Sequence, residues 1–160
     1  MGRMIPLVAA LLAGPMLQSG AEPARDFAVV VHRTNPMRDI RLRDLTSMFG
    51  GASRQWPNNR PVVLVERDAG SAPFRYLMER LLNTTSGEYK RNLQNIEYRG
   101  DAPVSVKILN SDPAACQFVF NVPAAIAIIE TTSLPTWECR QAQVVRIDGK
   151  LPGEEGYRLR

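Results

Sequence analysis

Continuous apolar runs in this chain predict the strands of a buried sheet. They cover residues 27–31, 62–65 and 125–129, with a shorter run at 144–147. Valine and isoleucine dominate, with little alternation of apolar and polar positions, which is typical of strands covered on both faces.

Apolar residues at helical spacing predict helices between these runs. One stripe comprises Leu42, Leu45, Met48 and Phe49, and a second comprises Phe74, Leu77, Met78, Leu81 and Leu82. Thr85 and Glu88 form a capping box that predicts a third helix. Ser111 followed by Asp112-Pro113 predicts a fourth, running to about Phe120.

Strands that alternate with helices favour parallel pairing through right-handed crossovers. The expected fold class is α/β, a three-layer domain with a mostly parallel sheet. With 160 residues and 44% apolar composition, the chain is long enough for one domain with a core. We expect that domain to occupy residues 22–160.

The N-terminal segment, residues 1–21, has the pattern of a secretory signal peptide. Arg3 is followed by a short apolar run at 5–12, and Ser19 and Ala21 are small residues suited to cleavage after Ala21. The run is too short to span a bilayer, so we expect a periplasmic protein with no membrane span in the mature chain.

The net charge narrows the classes of molecule that this chain is expected to bind. Without Arg3 the mature chain has 19 basic and 16 acidic residues, a net charge of +3. Small anions or an acidic surface suit this balance better than nucleic acid, because the arginines lack interleaved aromatic platforms.

Cys116 and Cys139 are too far apart in the sequence for a CxxC motif. In an exported protein this spacing favours a disulfide between them, with two buried thiols as the alternative.

The turn after the second run carries the candidate chemistry. The strand ends near Glu66, and the next helix opens at Gly70-Ser71. Unpaired N–H groups and the helix dipole at such a position attract anions, and Arg67 is close enough to contribute a guanidinium. The alternative is that Ser71 only caps the helix and that Arg67 is solvated.

Catalytic patterns are weak, so we do not expect an enzyme. His32 is the single histidine and ends a buried strand, and Ser71 lacks the flanking glycines of a nucleophile elbow. No dinucleotide motif, P-loop or metal-ligand spacing occurs, so neither a cofactor nor a metal is expected. Trp56 and Trp137 are expected to cover the core.

Three segments resemble phosphate-binding proteins, the substrate-binding subunits of phosphate ABC transporters. The first, residues 67–73, is similar to that family's Arg-x-x-Gly-Ser-Gly-Thr turn. The second is Leu45-x-x-Met48-Phe49-Gly50 with Trp56-Pro57, and the third is residues 123–129, where the family has Pro-Gly-Ala-Ile-Gly-Tyr-Val. The resemblance covers roughly residues 27–147.

This resemblance implies one lobe of a type II periplasmic binding protein, and a helical turn at residues 104–109. It assigns anion binding to Arg67, Gly70, Ser71 and Ala72. Pro73 stands where the family has threonine and removes both a hydroxyl and an N–H. We therefore expect weak binding of phosphate or sulfate. The alternative is a periplasmic scaffold without a ligand that docks a periplasmic or membrane protein.

Overall fold

The structure is a computed structural model that describes residues 25–160. The predicted signal peptide, residues 1–21, and its cleavage site lie outside the described residues. The strands are β1 (Phe27–Val31), β2 (Asp39–Ile40), β3 (Val63–Arg67), β4 (Ser105–Leu109), β5 (Ala125–Glu130) and β6 (Gln143–Ile147). The helices are α1 (Leu42–Phe49), α2 (Ala72–Tyr76), α3 (Ser86–Tyr98) and α4 (Asp112–Asn121). A π turn, Leu77–Leu81, continues α2 directly.

The strands form a six-stranded sheet in the order β2-β6-β1-β5-β3-β4. β3 pairs in parallel with β4 and β5, and β2 pairs in parallel with β6. β1 lies in the middle and is antiparallel to both β5 and β6. The α/β class is confirmed, and the sheet is mixed because β1 takes both neighbours from the last part of the chain rather than through a βαβ crossover.

Helices cover both faces of the sheet, which confirms the three-layer arrangement. Side chains alternate along β1, so Val29 and Val31 enter one core while Ala28 and Val30 enter the other. The first core contains residues of α1, α2, the π turn and α3, and the second packs α4 against the sheet. Every residue of β1 is buried, as its uninterrupted apolar sequence predicts.

The helical turn expected at residues 104–109 is wrong, because this segment is the edge strand β4. Its backbone pairs with β3 in register, with Val63 opposite Ser105 and Arg67 opposite Leu109. Val106 packs on the first core, whereas Ile108, two positions further along the same face, is 60% exposed. A half-covered edge strand lacks the long apolar run of the central strands, so its short sequence was ambiguous by periodicity.

The predicted caps and the disulfide are present. Thr85 and Glu88 form the reciprocal capping box of α3, and the Ser111 hydroxyl accepts from the N–H of Ala114 at the start of α4. Cys116 on α4 is bonded to Cys139. The predicted covalent link therefore joins α4 to the loop between β5 and β6.

The two tryptophans have different environments. Trp56 is buried, as expected, and its indole N–H donates to the carbonyl of Ala124 over 2.9 Å. Trp137 is 74% exposed, so the expectation that it covers the core is wrong. Trp137 lies in an irregular loop after β5. An apolar side chain is buried only where another element packs against it, and the sequence does not show whether one does.

The C-terminal tail closes one end of β1. Tyr157 and Leu159 are buried, and the Tyr157 hydroxyl donates to the carbonyl of Phe27 over 2.7 Å. The N–H of Phe27 donates in turn to the carbonyl of Leu159 over 2.8 Å. The tail is thus part of the core although its sequence shows no periodicity. Over residues 25–160, none of the helices combines the length and the apolar character needed to cross a bilayer.

Candidate functional site

The candidate anion turn connects the end of β3 to the start of α2. Arg67 is the last residue of β3, and Ala72 is the first of α2. The structure therefore brings Arg67, Gly70, Ser71 and Ala72 into one strand-to-helix turn. A Cβ added at Gly70 would have Asp68 Oδ2 as its nearest neighbour, 3.9 Å away, so the space beside the turn is open.

Ser71 is the N-cap of α2. Its hydroxyl accepts from the N–H of Phe74 over 3.3 Å and donates to the carbonyl of Asp68 over 2.7 Å. Both hydrogen bonds fix the backbone conformation of the turn, because they connect the last loop residues to the first turn of the helix. The capping interpretation of Ser71 is therefore correct. Its N–H also donates to the carbonyl of Asp68, over 2.9 Å, so an anion would rely mainly on the N–H of Ala72.

Arg67 belongs to a largely buried ion pair and is not a solvated side chain. Its side chain is 12% exposed, and its Nη1 forms a short ion pair with the carboxylate of Asp112. Nε donates to the carbonyl of Leu109 over 3.2 Å, and Nη2 donates to the carbonyl of Asn110 over 3.0 Å. The guanidinium thus fastens the end of β3 to the connection between β4 and α4.

Asp112 is the partner that sequence reasoning missed. Its carboxylate also accepts from the N–H of Glu130 over 3.0 Å and from the hydroxyl of Ser133 over 2.7 Å. Four segments of the chain meet at this one carboxylate, namely β3, α4, β5 and the 3₁₀ turn after β5. The sequence presented Asp112 as an ordinary residue of a helix start, and no local pattern links it to Arg67, 45 positions away.

The charges around the turn disfavour a strongly bound anion. The cation of Arg67 is matched by Asp112 and is also 3.2 Å from the carboxylate of Asp68, which is 48% exposed. Two carboxylates against one guanidinium leave a net negative charge. A phosphate that binds the N–H of Ala72 at the start of α2 would therefore be repelled by Asp68.

Glu66, one residue before Arg67, is a second buried carboxyl group. It is 4% exposed and accepts a short hydrogen bond from the hydroxyl of Tyr89 on α3. Burial raises the pKa of Glu66 above its ordinary value of 4.5, and this outweighs the opposing effects of Tyr89 and Lys90. Burial and the same contact raise the pKa of the Tyr89 hydroxyl. The pair links β3 to α3 on the face opposite α4.

We expect Glu66→Gln to flatten part of the pH dependence of stability. The folded state holds the Glu66 proton more tightly than the unfolded chain, so this group favours folding below its unfolded pKa. That contribution is lost as the pH rises through the folded-state pKa. The substituted amide keeps an oxygen that can accept from Tyr89 and has no proton to lose. Urea unfolding at a series of pH values measures the difference.

Glu88→Gln provides a control, because the contribution of Glu88 to stability changes with pH in the opposite direction. The backbone N–H and then the hydroxyl of Thr85 lower the pKa of Glu88, so its contribution is lost as the pH falls. A Glu66→Gln variant whose stability falls with rising pH as steeply as that of the wild type would contradict the assignment to Glu66.

Solved structures of phosphate-binding proteins share this fold. A putative phosphate ABC transporter substrate-binding protein with bound phosphate from Clostridium perfringens is 18% identical with a TM-score of 0.61, covering 79% of this chain and 46% of that chain. An ABC-type phosphate transport receptor from Vibrio cholerae is 20% identical with a TM-score of 0.64, covering 84% and 53%. PstS from Borrelia burgdorferi is 11% identical with a TM-score of 0.62, covering 80% and 49%.

These similarities establish the fold and its extent. The chain spans about half the length of each of these structures, as the predicted resemblance to one lobe of a binding protein requires. These structural neighbours are binding proteins rather than enzymes. No protein-family model and no curated protein sequence matches the chain.

Proposed function

We propose that this chain is an exported binding protein that takes phosphate or sulfate weakly at the turn formed by Arg67, Gly70, Ser71 and Ala72. The observation that carries the proposal is an open strand-to-helix turn in a fold shared with phosphate-binding proteins. The backbone N–H of Ala72 and the positive end of the α2 dipole supply the attraction.

Four features of the turn make the proposed affinity low. Pro73 removes one N–H donor from the first turn of α2, and the Ser71 hydroxyl already donates to the Asp68 carbonyl. The Arg67 guanidinium is bound to Asp112 and cannot turn fully towards a ligand. The backbone N–H of Ser71 also donates to the carbonyl of Asp68, over 2.9 Å, so the N–H of Ala72 is the main donor left. The few remaining bonds support a Kd no tighter than millimolar, about −4 kcal/mol.

A thermal-shift titration with phosphate and sulfate tests the proposal. Millimolar binding raises the Tm in proportion to log concentration once the ligand exceeds its Kd. Pro73→Thr should strengthen binding because it restores a donor in the first turn. Asp68→Asn should strengthen it as well, because it removes a negative charge beside the anion.

Lys150→Gln, distant in sequence and exposed, serves as the matched surface control. It should leave the phosphate response at the wild-type level. If the wild type, Pro73→Thr and Asp68→Asn all show no rise in Tm with phosphate, the turn is purely structural and the binding proposal fails.

A second candidate function is partner docking on a scaffold that binds no ligand, in which case the partner is a periplasmic or membrane protein. The ion pair between Arg67 and Asp112 favours it, since the residue best suited to an anion is committed to holding four segments together. The two candidates differ in the phosphate titration above, because a scaffold gives no response.

A further inference from the structure

Four arginines gather around the ring of Tyr76. Arg75 and Arg80 project from α2 and the π turn, and Arg158 and Arg160 project from the tail. We call Arg75, Arg80, Arg158 and Arg160 the arginine patch. Three of them line a shallow depression with a volume of about 550 Å³, together with Arg25, Phe27, Ala72 and Tyr76.

The fold places these side chains together for identifiable reasons. Tyr157 and Leu159 are buried in the core, so the alternating residues Arg158 and Arg160 face solvent on one side of the extended tail. Arg80 and Arg158 both lie close enough to the Tyr76 hydroxyl to oppose the rise that burial causes in its pKa, to about 12. The rings of Phe27 and Tyr76 stack at 4.4 Å and fix the surface beneath them.

The arginine patch carries more positive than negative charge. Arg160 is 3.5 Å from Asp26, and Arg158 is 3.7 Å from Asp148. Within residues 25–160, Arg75 and Arg80 form no salt bridge, although both are exposed. Four guanidinium groups against two carboxylates leave two positive charges.

We propose that the arginine patch docks an acidic segment of a partner protein. The depression is shallow and its cations are spread over a helix and the tail, so no single small anion contacts them all. An extended segment with several carboxylates can engage them together, because each guanidinium binds a carboxylate through two parallel hydrogen bonds. This inference rests on the docking candidate and specifies its partner by charge.

Fluorescence anisotropy with a labelled oligo-glutamate peptide tests the proposal on the full chain. The wild type should bind the peptide with an affinity that falls as salt is added. The double variant Arg75→Gln/Arg80→Gln should bind about tenfold more weakly or worse. The double variant Arg33→Gln/Arg99→Gln removes two exposed arginines that do not line the depression, and it should bind like the wild type.

Three outcomes would overturn the proposal. The first is absence of salt-dependent peptide binding by the wild type, and the second is an equal loss in both double variants, which would indicate general charge attraction. The third is preferential binding of inorganic phosphate or of phosphatidylglycerol vesicles at the patch, shown by displacement of the peptide. The phosphate thermal shift at the Arg67–Ser71 turn should persist in Arg75→Gln/Arg80→Gln, so the two proposals fail independently.

Discussion

Arg67→Ala is expected to lower the free energy of unfolding by about 3–5 kcal/mol, because it leaves the buried carboxylate of Asp112 without its cation. The side chains of Arg67 and Asp112 are 12% and 5% exposed, so solvent screens their interaction little. The remaining hydrogen bonds from Glu130 and Ser133 to Asp112 offset only part of the loss. Urea unfolding followed by circular dichroism measures the change.

Asp68→Asn is the matched control for this ion pair. Asp68 contacts the same guanidinium at 3.2 Å but is 48% exposed, so its loss should cost less than about 1 kcal/mol. The double variant Arg67→Ala/Asp112→Ala should be less destabilised than the sum of its single variants, because it leaves no unpaired charge. Equal effects of Arg67→Ala and Asp68→Asn would show that the pair with Asp112 is not the source.

This result bears directly on how phosphate binding can be tested. If Arg67 were only a ligand contact, its removal would abolish anion binding with little change in stability. The structure makes a large stability loss the expected result, so lost binding in Arg67→Ala would not identify a ligand contact. Asp68→Asn and Pro73→Thr avoid this ambiguity because neither removes the cation that pairs with Asp112.

Loss of the Cys116–Cys139 disulfide is expected to cost about 3 kcal/mol, the value for closing a loop of this size in the unfolded chain. The bridge joins two cysteines that are 23 positions apart and fully or almost fully buried. Cys116→Ser/Cys139→Ser should therefore unfold at a lower urea concentration than the oxidised wild type.

Reduced wild-type protein separates the covalent effect from packing. Unfolded in the presence of reductant, it should lose most of the stability that the double variant loses. Thiol titration of unfolded, unreduced protein should find no free cysteine. Two reactive thiols, or a double variant as stable as the oxidised wild type, would contradict the stabilising bridge.

Short sequence patterns correctly predicted the elements that depend only on residues close together in the chain. The apolar sequence of β1, the Thr85–Glu88 capping box and the Ser111 cap are each complete within a few residues, and the structure confirms all three. The wrong helical turn at residues 104–109 came from the family resemblance, because periodicity left this short segment ambiguous, and its pairing with β3 makes it the strand β4.

The sequence predicted where the candidate site lies, but not which charged side chains pair with each other there. The Gly70-Ser71 signal located the strand-to-helix turn correctly, since a cap and a helix start are short-range features. Neither the Arg67–Asp112 pair nor the arginine patch has a local signature, because each combines residues from distant parts of the chain. Tertiary structure, rather than spacing, decides which charges neutralise each other.

The central position of β1 sets the order in which this chain can fold. During synthesis β1 is the first described strand to emerge, yet its partners β5 and β6 follow about 100 positions later. Helices and the β3–β4 pair can form from nearer segments, whereas the sheet cannot close around its middle strand until the last part of the chain arrives. The five residues of β1 are apolar and include no charge and no proline, so this strand is prone to aggregation until β5 and β6 have been synthesised.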